Sequence, residues 1–298
     1  MKNKVCILMA TYNGLEYLES QISSLLSQTG VSVDVFISDD FSTDGTYEFL
    51  LDRYSCVKNV FILDRVSKHG SAGKNFYSLI DRVCFSDYDF VAFSDQDDIW
   101  YEDKLERSAL FLLNSDNCVG VSSCVDAFWP DGKNKFINKA GAQKKYDYIF
   151  ESAGPGCTYL LKSEFTIELK YFLKRHNEIY FNVFSHDWLI YAYARQRHYG
   201  WHILPLSTLK YRQHSSNETG VNRGLKAFMI RIKKLKFGWY LDQVYSVAKS
   251  TGSEDLLRLF FPKRGRASLL FYKNAFQMRR NIKEALLLSL FILIKIVR

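Results

Sequence analysis

Through the first hundred positions, short unbroken apolar runs alternate with stretches in which apolar residues recur at helical spacing. Residues 5–9 are continuously apolar and end at polar Thr11, Tyr12, Asn13 and Gly14, which predicts a buried strand running into a loop. Leu15, Leu18, Ile22, Leu25 and Leu26 then follow a helical period. A second strand is expected at 33–38, stopping at Asp39 and Asp40, with a helix through Tyr47, Leu50 and Leu51. The third strand is expected at 60–63. After the turn-like residues 69–73, a helix carries Phe76, Leu79, Ile80 and Val83, and 89–93 reads as another buried strand. This β-α-β alternation is that of an α/β fold with a Rossmann-like, mainly parallel sheet flanked by helices. Ligands of such sheets bind at the carboxyl ends of the strands. Three polar clusters are therefore expected at one edge: Thr11 to Asn13, Asp39 with Asp40, and Ser94 to Asp98.

Beyond Asp98 the pattern loosens. A helix is predicted over 102–113, a strand over 119–128, a polar stretch over 131–146, a glycine-containing loop at 154–158 and a helix starting at Ser185, His186, Asp187 and Trp188. After residue 220 the composition turns basic. Residues 222–298 hold 17 basic and 4 acidic residues, a net of +13, which leaves −5 on residues 1–221 of a chain whose total is +8. That shift places the expected boundary between an α/β domain, 1–221, and a basic, mainly helical extension, 222–298. The extension points to an anionic partner such as phospholipid or nucleic acid. The six cysteines form no CxxC pair and read as buried free thiols. The N-terminal apolar run is six residues, too short for a signal peptide, and the longest, 285–294, is ten residues and reaches only about half way across a bilayer core.

Asp95, Asp97 and Asp98 put three carboxylates in four residues after a buried strand. Such crowded charges repel, and a shared divalent cation relieves the repulsion. Oxygen ligands suit Mg²⁺ or Mn²⁺, ions that in turn suit diphosphates. The plainer reading is a helix start whose acids face the positive end of the dipole. Neither a dinucleotide-binding glycine motif nor a P-loop occurs in the chain.

Taken in order, Ala10 to Gly14, Ile37 to Gly45, Phe93 to Trp100 and Ser185 to Trp188 resemble the motifs of the GT-A-fold glycosyltransferases of family 2, over roughly residues 3–220. The family more often has Gly where this chain has Phe41. The resemblance implies an inverting, metal-dependent hexosyl transfer from a nucleotide-diphosphate sugar. Thr11 and Asn13 would line the nucleotide pocket, Asp39 or Asp40 would accept from the base, and Asp95 would hold the ribose or diphosphate side. Asp97 would bind Mn²⁺ or Mg²⁺; Asp98 has two readings, a second metal ligand or a cap on the following helix. Asp187 corresponds to the catalytic base, against the alternative of an ordinary first-turn acid. Tyr211, Arg212, Gln213 and His214, with Asn217 and Gly220, resemble a segment that folds over the diphosphate, with Arg212 on phosphate and His214 on the metal; the rival is a solvated loop.

The motif set looks most like O-antigen glucosyl- and rhamnosyltransferases of surface polysaccharide assembly. The first expectation is UDP-glucose as donor, a β-1,3 linkage and a lipid-linked acceptor such as GlcNAc-diphospho-undecaprenol; dTDP-L-rhamnose is the competing donor. A stripe of Leu225, Phe228, Met229, Ile232 and Leu235 among lysines, and the later cations Arg258 to Lys283 before the apolar run, predict peripheral attachment to the cytoplasmic face of the inner membrane. The alternative is a stripe that packs on the catalytic domain or dimerises. Two other classes fit less well: a nucleic-acid-binding protein using the basic extension, disfavoured because the stripe is aliphatic, and a nucleotidyltransferase, disfavoured because a glycine-rich N-terminal phosphate loop is absent.

Overall fold

The computed structural model describes residues 2–214, 238–263 and 266–293. The first half follows the sequence pattern: β1 (Asn3–Thr11), α1 (Leu18–Leu26), β2 (Val31–Asp39), α2 (Thr46–Tyr54), β3 (Val60–Ile62), α3 (Ala72–Arg82) and β4 (Phe90–Ser94). The continuous apolar run of β1 has a simple cause, because successive side chains of a strand point to opposite faces. Val5, Ile7 and Met9 enter one core with α1, while Cys6, Leu8 and Ala10 enter the other with α3. Both faces are covered, so both sets of positions must be apolar.

These four strands pair in parallel in the order β3-β2-β1-β4. The chain leaves β1 toward β2 and β3 on one side and returns to β4 on the other. A crevice opens where the order reverses, outside the carboxyl ends of β1 and β4. Register sets it, with Met9 opposite Ser94 and Thr11 opposite Asp39.

The second half comprises β5 (Ile99–Trp100), α4 (Lys104–Leu113), β6 (Cys118–Phe128), β7 (Asn134–Ile137), α5 (Asp147–Phe150), a 3-10 turn at Gly156–Thr158, β8 (Leu160–Lys162), α6 (Ser163–Arg175), α7 (Ile179–Asn182), α8 (His186–Gln196) and β9 (Gly200–Arg212). The sheet continues β4-β8-β6-β9-β5, with β7 on β6. Every antiparallel pair involves a strand of this half, and β6 pairs β9 in parallel, so the sheet is mixed beyond the parallel run β3-β2-β1-β4. The polar stretch 131–146 contains β7, whose exposed Asn134, Lys135 and Phe136 gave no apolar run to read. Tyr211 and Arg212 belong to β9, opposite Ala127 and Phe128, and are not part of a solvated loop.

The basic extension contributes α9 (Trp239–Ser250), α10 (Glu254–Phe260), α11 (Leu269–Lys273), a 3-10 turn at Ala275–Gln277 and α12 (Ile282–Leu293). Tyr240, Leu241, Val244, Val247 and Ala248 of α9 share one core with Leu161 and Tyr191 of the sheet domain. Arg279 and Arg280, expected among the membrane-facing cations, are instead turned inward. The Arg280 side chain is 6% exposed and pairs with Asp147 at 3.3 Å and Glu151 at 3.5 Å. The stripe from Leu225 to Leu235, with Asn217 and Gly220, lies outside the described residues. All six cysteines are free, but Cys56 and Cys84 are exposed, since each sits just past the end of a helix. Among the described residues no helix is long and apolar enough to cross a membrane.

Candidate active site

The crevice is held together by side chains that tie the loops after β1, β2 and β4. Thr11 Oγ1 donates to Asp39 Oδ1 at 3.1 Å, Asn13 Oδ1 accepts from the Thr43 amide at 2.8 Å, and the Asn13 amide donates to Ser42 Oγ at 2.8 Å. Gln96 works like a strand neighbour, accepting from the Tyr12 amide at 2.8 Å and donating to its carbonyl at 3.0 Å. Asp39 also accepts from the Ser42 amide and pairs with Arg65 at 2.6 Å. Asp40 uses both oxygens on backbone, taking the amides of His69 at 2.5 Å and Gly70 at 2.7 Å. Both acids are buried, so matched donors are required.

Phe41 holds a left-handed backbone, φ +58°. A residue with a Cβ is there at a cost of about 1–2 kcal/mol relative to glycine. The Arg65 guanidinium lies 5.6 Å from its ring and 3.9 Å from that of Tyr47. Sequence alone gave no sign that Arg65 joins this edge.

The β4 acids separate by direction. Asp97 faces His214, with Oδ2 to Nε2 at 2.6 Å across 117 positions of sequence. The His214 ring stacks on Tyr17 with centroids 4.8 Å apart. Arg212 donates through Nε to the Asp97 carbonyl at 2.7 Å, and its guanidinium sits 4.9 Å from the Tyr17 ring and 4.7 Å from that of Phe128. Asp98 points inward and is fully buried, accepting from the Arg212 amide at 3.1 Å. Burial, then the charges of Asp97 and Asp95, push its carboxyl well above the usual range. It does not cap α4, whose N-cap position is Asp103.

Behind Asp98 lies Lys104, fully buried, its ammonium 3.6 Å from the centre of the Trp100 ring. Burial pushes it down to about 7, against the pull of Cys157 and Asp98. One ligand atom each from Asp95, Asp98 and Cys157 fall within 4.8 Å of one another. The thiol is a soft donor ill suited to Mg²⁺ or Mn²⁺, so the acids and His214 form the better donor set for those ions. Lys104 was not legible as a site residue, because it sits in an ordinary helical context.

Asp187 is the second residue of α8, and the loop before β8 connects it to the acids. A Cβ on Gly156 would lie 3.4 Å from Asp187 Cβ and 2.3 Å from His186 Nε2, while the next residue, Cys157, belongs to the Asp95 and Asp98 group. Only glycine permits that approach at 156. The Asp187 carboxyl remains partly accessible but is deeply set, and burial raises it above the ordinary carboxylate range. His186 turns away, with its ring 4.1 Å from that of Phe76, and burial pushes it down to about 3, so it stays neutral and forms no dyad with Asp187.

The family model for glycosyl transferase family 2 matches residues 6–181, which contain the three motif strands and the Gly154 to Thr158 loop. The chain is also 38% identical over 293 residues to the dTDP-rhamnosyl transferase RfbG of Shigella flexneri, covering 97% of this chain and 100% of that protein. The chain belongs to glycosyl transferase family 2. A more distant relative of this glycosyltransferase is the Escherichia coli UDP-Glc:alpha-D-GlcNAc-diphosphoundecaprenol beta-1,3-glucosyltransferase WfgD, 25% identical over 155 residues, covering 51% of this chain and 57% of that one. Among solved structures, Staphylococcus aureus TarS residues 1–349 in complex with UDP superposes with a TM-score of 0.55 at 16% identity, covering 99% of this chain and 80% of that one. That likeness shows the fold: the glycosyltransferase has the expected GT-A architecture.

Proposed function

We propose that this glycosyltransferase moves L-rhamnose from dTDP-L-rhamnose to a lipid-linked saccharide acceptor, with inversion at the transferred carbon, in the assembly of a surface polysaccharide such as O-antigen. The observation that carries the donor assignment is the full-length likeness to the dTDP-rhamnosyl transferase RfbG. UDP-glucose with a β-1,3 linkage, the first expectation from sequence, has weaker support, since the glucosyltransferase WfgD matches only about half of the chain and at lower identity. WfgD does lend support to an acceptor carried on diphospho-undecaprenol, and hence to work at the cytoplasmic face of the inner membrane.

Thr11, Asn13, Asp39 and Asp40 form the edge against which the nucleotide rests, and Arg212 supplies a fixed cation for the diphosphate. Asp97 and His214, with Asp95 and Asp98 beside them, would hold Mn²⁺ or Mg²⁺; the fit rests on a carboxylate and an imidazole brought to 2.6 Å from distant parts of the chain. Such an ion neutralises charge on the diphosphate leaving group. Asp187 takes the proton of the acceptor hydroxyl as that oxygen bonds to the sugar's anomeric carbon and the bond from that carbon to the diphosphate breaks. Burial suits Asp187 to the task, because a carboxylate held above its ordinary range is a stronger base.

Calorimetric titration with dTDP and with UDP, each with and without Mn²⁺, followed by turnover of dTDP-L-rhamnose and UDP-glucose on a GlcNAc-diphospho-undecaprenol acceptor, tests the assignment. Tighter metal-dependent binding of dTDP and transfer of rhamnose are expected. Turnover of UDP-glucose in preference would reverse the donor assignment and leave the family intact.

A further inference from the structure

α12 is apolar around most of its circumference, and the protein covers only half of it. Ala285, Leu288, Phe291 and Ile292 point into the core. Ile282, Leu286, Leu287, Leu290 and Leu293 point outward, and Ile282 and Leu293 are 62% and 64% exposed. Their spacing puts all five on one side of the helix. A helix that is apolar on both sides is ordinarily buried on both, so this outer face calls for a partner.

The charges around it say what kind. Lys283 lies on the outward side of α12 and is exposed, as are Lys263, Arg266 and Lys273 on the segments leading to it. Glu284, the acid of α12, is 3.6 Å from Arg279 and engaged there. A second copy docking through a two-fold contact would set these lysines against their own images. Anionic headgroups would instead meet Lys283 on an aliphatic face, in a C-terminal region of net positive charge, the composition of helices that lie in a bilayer interface. The described 12 residues of α12, about 18 Å, are too short to span a hydrocarbon core of about 30 Å and fit lying flat.

We propose that the outer face of α12, with Lys283 exposed on it, seats the protein on an anionic lipid surface. The inference rests on the reading above only in placing the acceptor at a membrane; the face itself is argued from its own residues. It assigns the contact to the apolar run that follows the cations Arg258 to Lys283; the stripe around Leu225 lies outside the described residues.

Flotation of the full chain with phosphatidylcholine vesicles, with and without phosphatidylglycerol, tests it, on wild type and on a Leu286→Glu/Leu290→Glu variant substituted at two exposed positions. Wild type should float with the anionic vesicles, less so in high salt, and the variant should bind them on the order of tenfold or more weakly. Absence of flotation, or flotation undiminished in the variant, would overturn the proposal. So would a wild-type dimer that the variant converts to monomer without any lipid binding, which would assign the face to a second copy. Titration with dTDP in parallel keeps the two readings apart: retained nucleotide binding with lost flotation reports on this face alone, while lost nucleotide binding with flotation intact strikes the donor assignment.

Discussion

Asp40, just after β2, and Asp187, in the first turn of α8, are acids that the fold treats in opposite ways. Asp40 is buried with each oxygen matched to a fixed backbone amide, from His69 and Gly70. Asp187 is deeply set where burial penalises its charge, and the Trp188 amide at 2.7 Å, with the Ser185 and Ser152 side chains, answers that charge only in part. The contrast separates two uses of one side chain. A carboxylate whose charge is fully answered by rigid donors is framework, and its job is to hold the β3–α3 connection against the crevice. A carboxylate kept under-stabilised is ready to accept a proton, and the protein bears a stability cost for that readiness.

The largest expected effect is on Asp187. Asp187→Asn should lower kcat by about 10²–10⁴-fold, the range for loss of a general base, without lowering thermal stability. The sign follows from its raised position: the folded state favours the protonated form, a contribution present in acid and lost as pH rises through the raised value. At neutral pH the ionised group therefore costs stability that Asn removes. A kcat within tenfold of wild type in a turnover assay would reduce Asp187 to a first-turn acid.

Next comes the support behind it. Arg280 pairs with Asp147 and Glu151 and donates to the Ser152 carbonyl at 2.5 Å, fastening the C-terminal segment to the loop next to Asp187. Arg280→Ala should cost about 3–5 kcal/mol in chemical denaturation, the usual penalty for leaving buried partners uncompensated. A loss under 1 kcal/mol would show that Arg195, 3.2 Å from Asp147, suffices alone.

Asp40→Asn should show the reverse of Asp187→Asn. The amide can accept through its oxygen, but its nitrogen would confront a backbone N–H, so about 1–3 kcal/mol of stability should go, visible as a lower Tm. If both variants move Tm the same way, the distinction between the two acids fails. The smallest effect is in the pH profile of kcat/KM, whose acidic limb should fall above the ordinary carboxylate range because the base is raised by burial. A limb at ordinary Asp values would assign proton transfer to a better-solvated acid.

Much of the first half was legible because its signals are local. A strand buried on both faces must be apolar at every position, as in β1, and a helix on its flank must repeat every three to four residues, as in α3. Parallel pairing then brings the strand ends together, so the three polar clusters could be placed at one edge before any coordinates. The second half resisted because its elements are mixed in direction and some are short or polar. β8 is three residues long, and β7 is exposed along most of its length.

The sequence by itself determined the fold class, the family and the residue types available for chemistry, since alternation, ordered motifs and clustered acids are properties of the chain. Tertiary structure decided how those residues are used. Only folding sets Asp97 against His214 and stacks His214 on Tyr17. Only folding sends Asp98 inward toward Lys104 and Cys157 while Asp97, one position earlier and also buried, meets His214. Only packing turns Arg280 from a surface cation into a buried clamp and leaves half of α12 apolar and uncovered. The physical reason is common to all of these: solvation and charge pairing depend on what lies within a few ångströms in space, and for these residues the deciding neighbours come from distant parts of the chain.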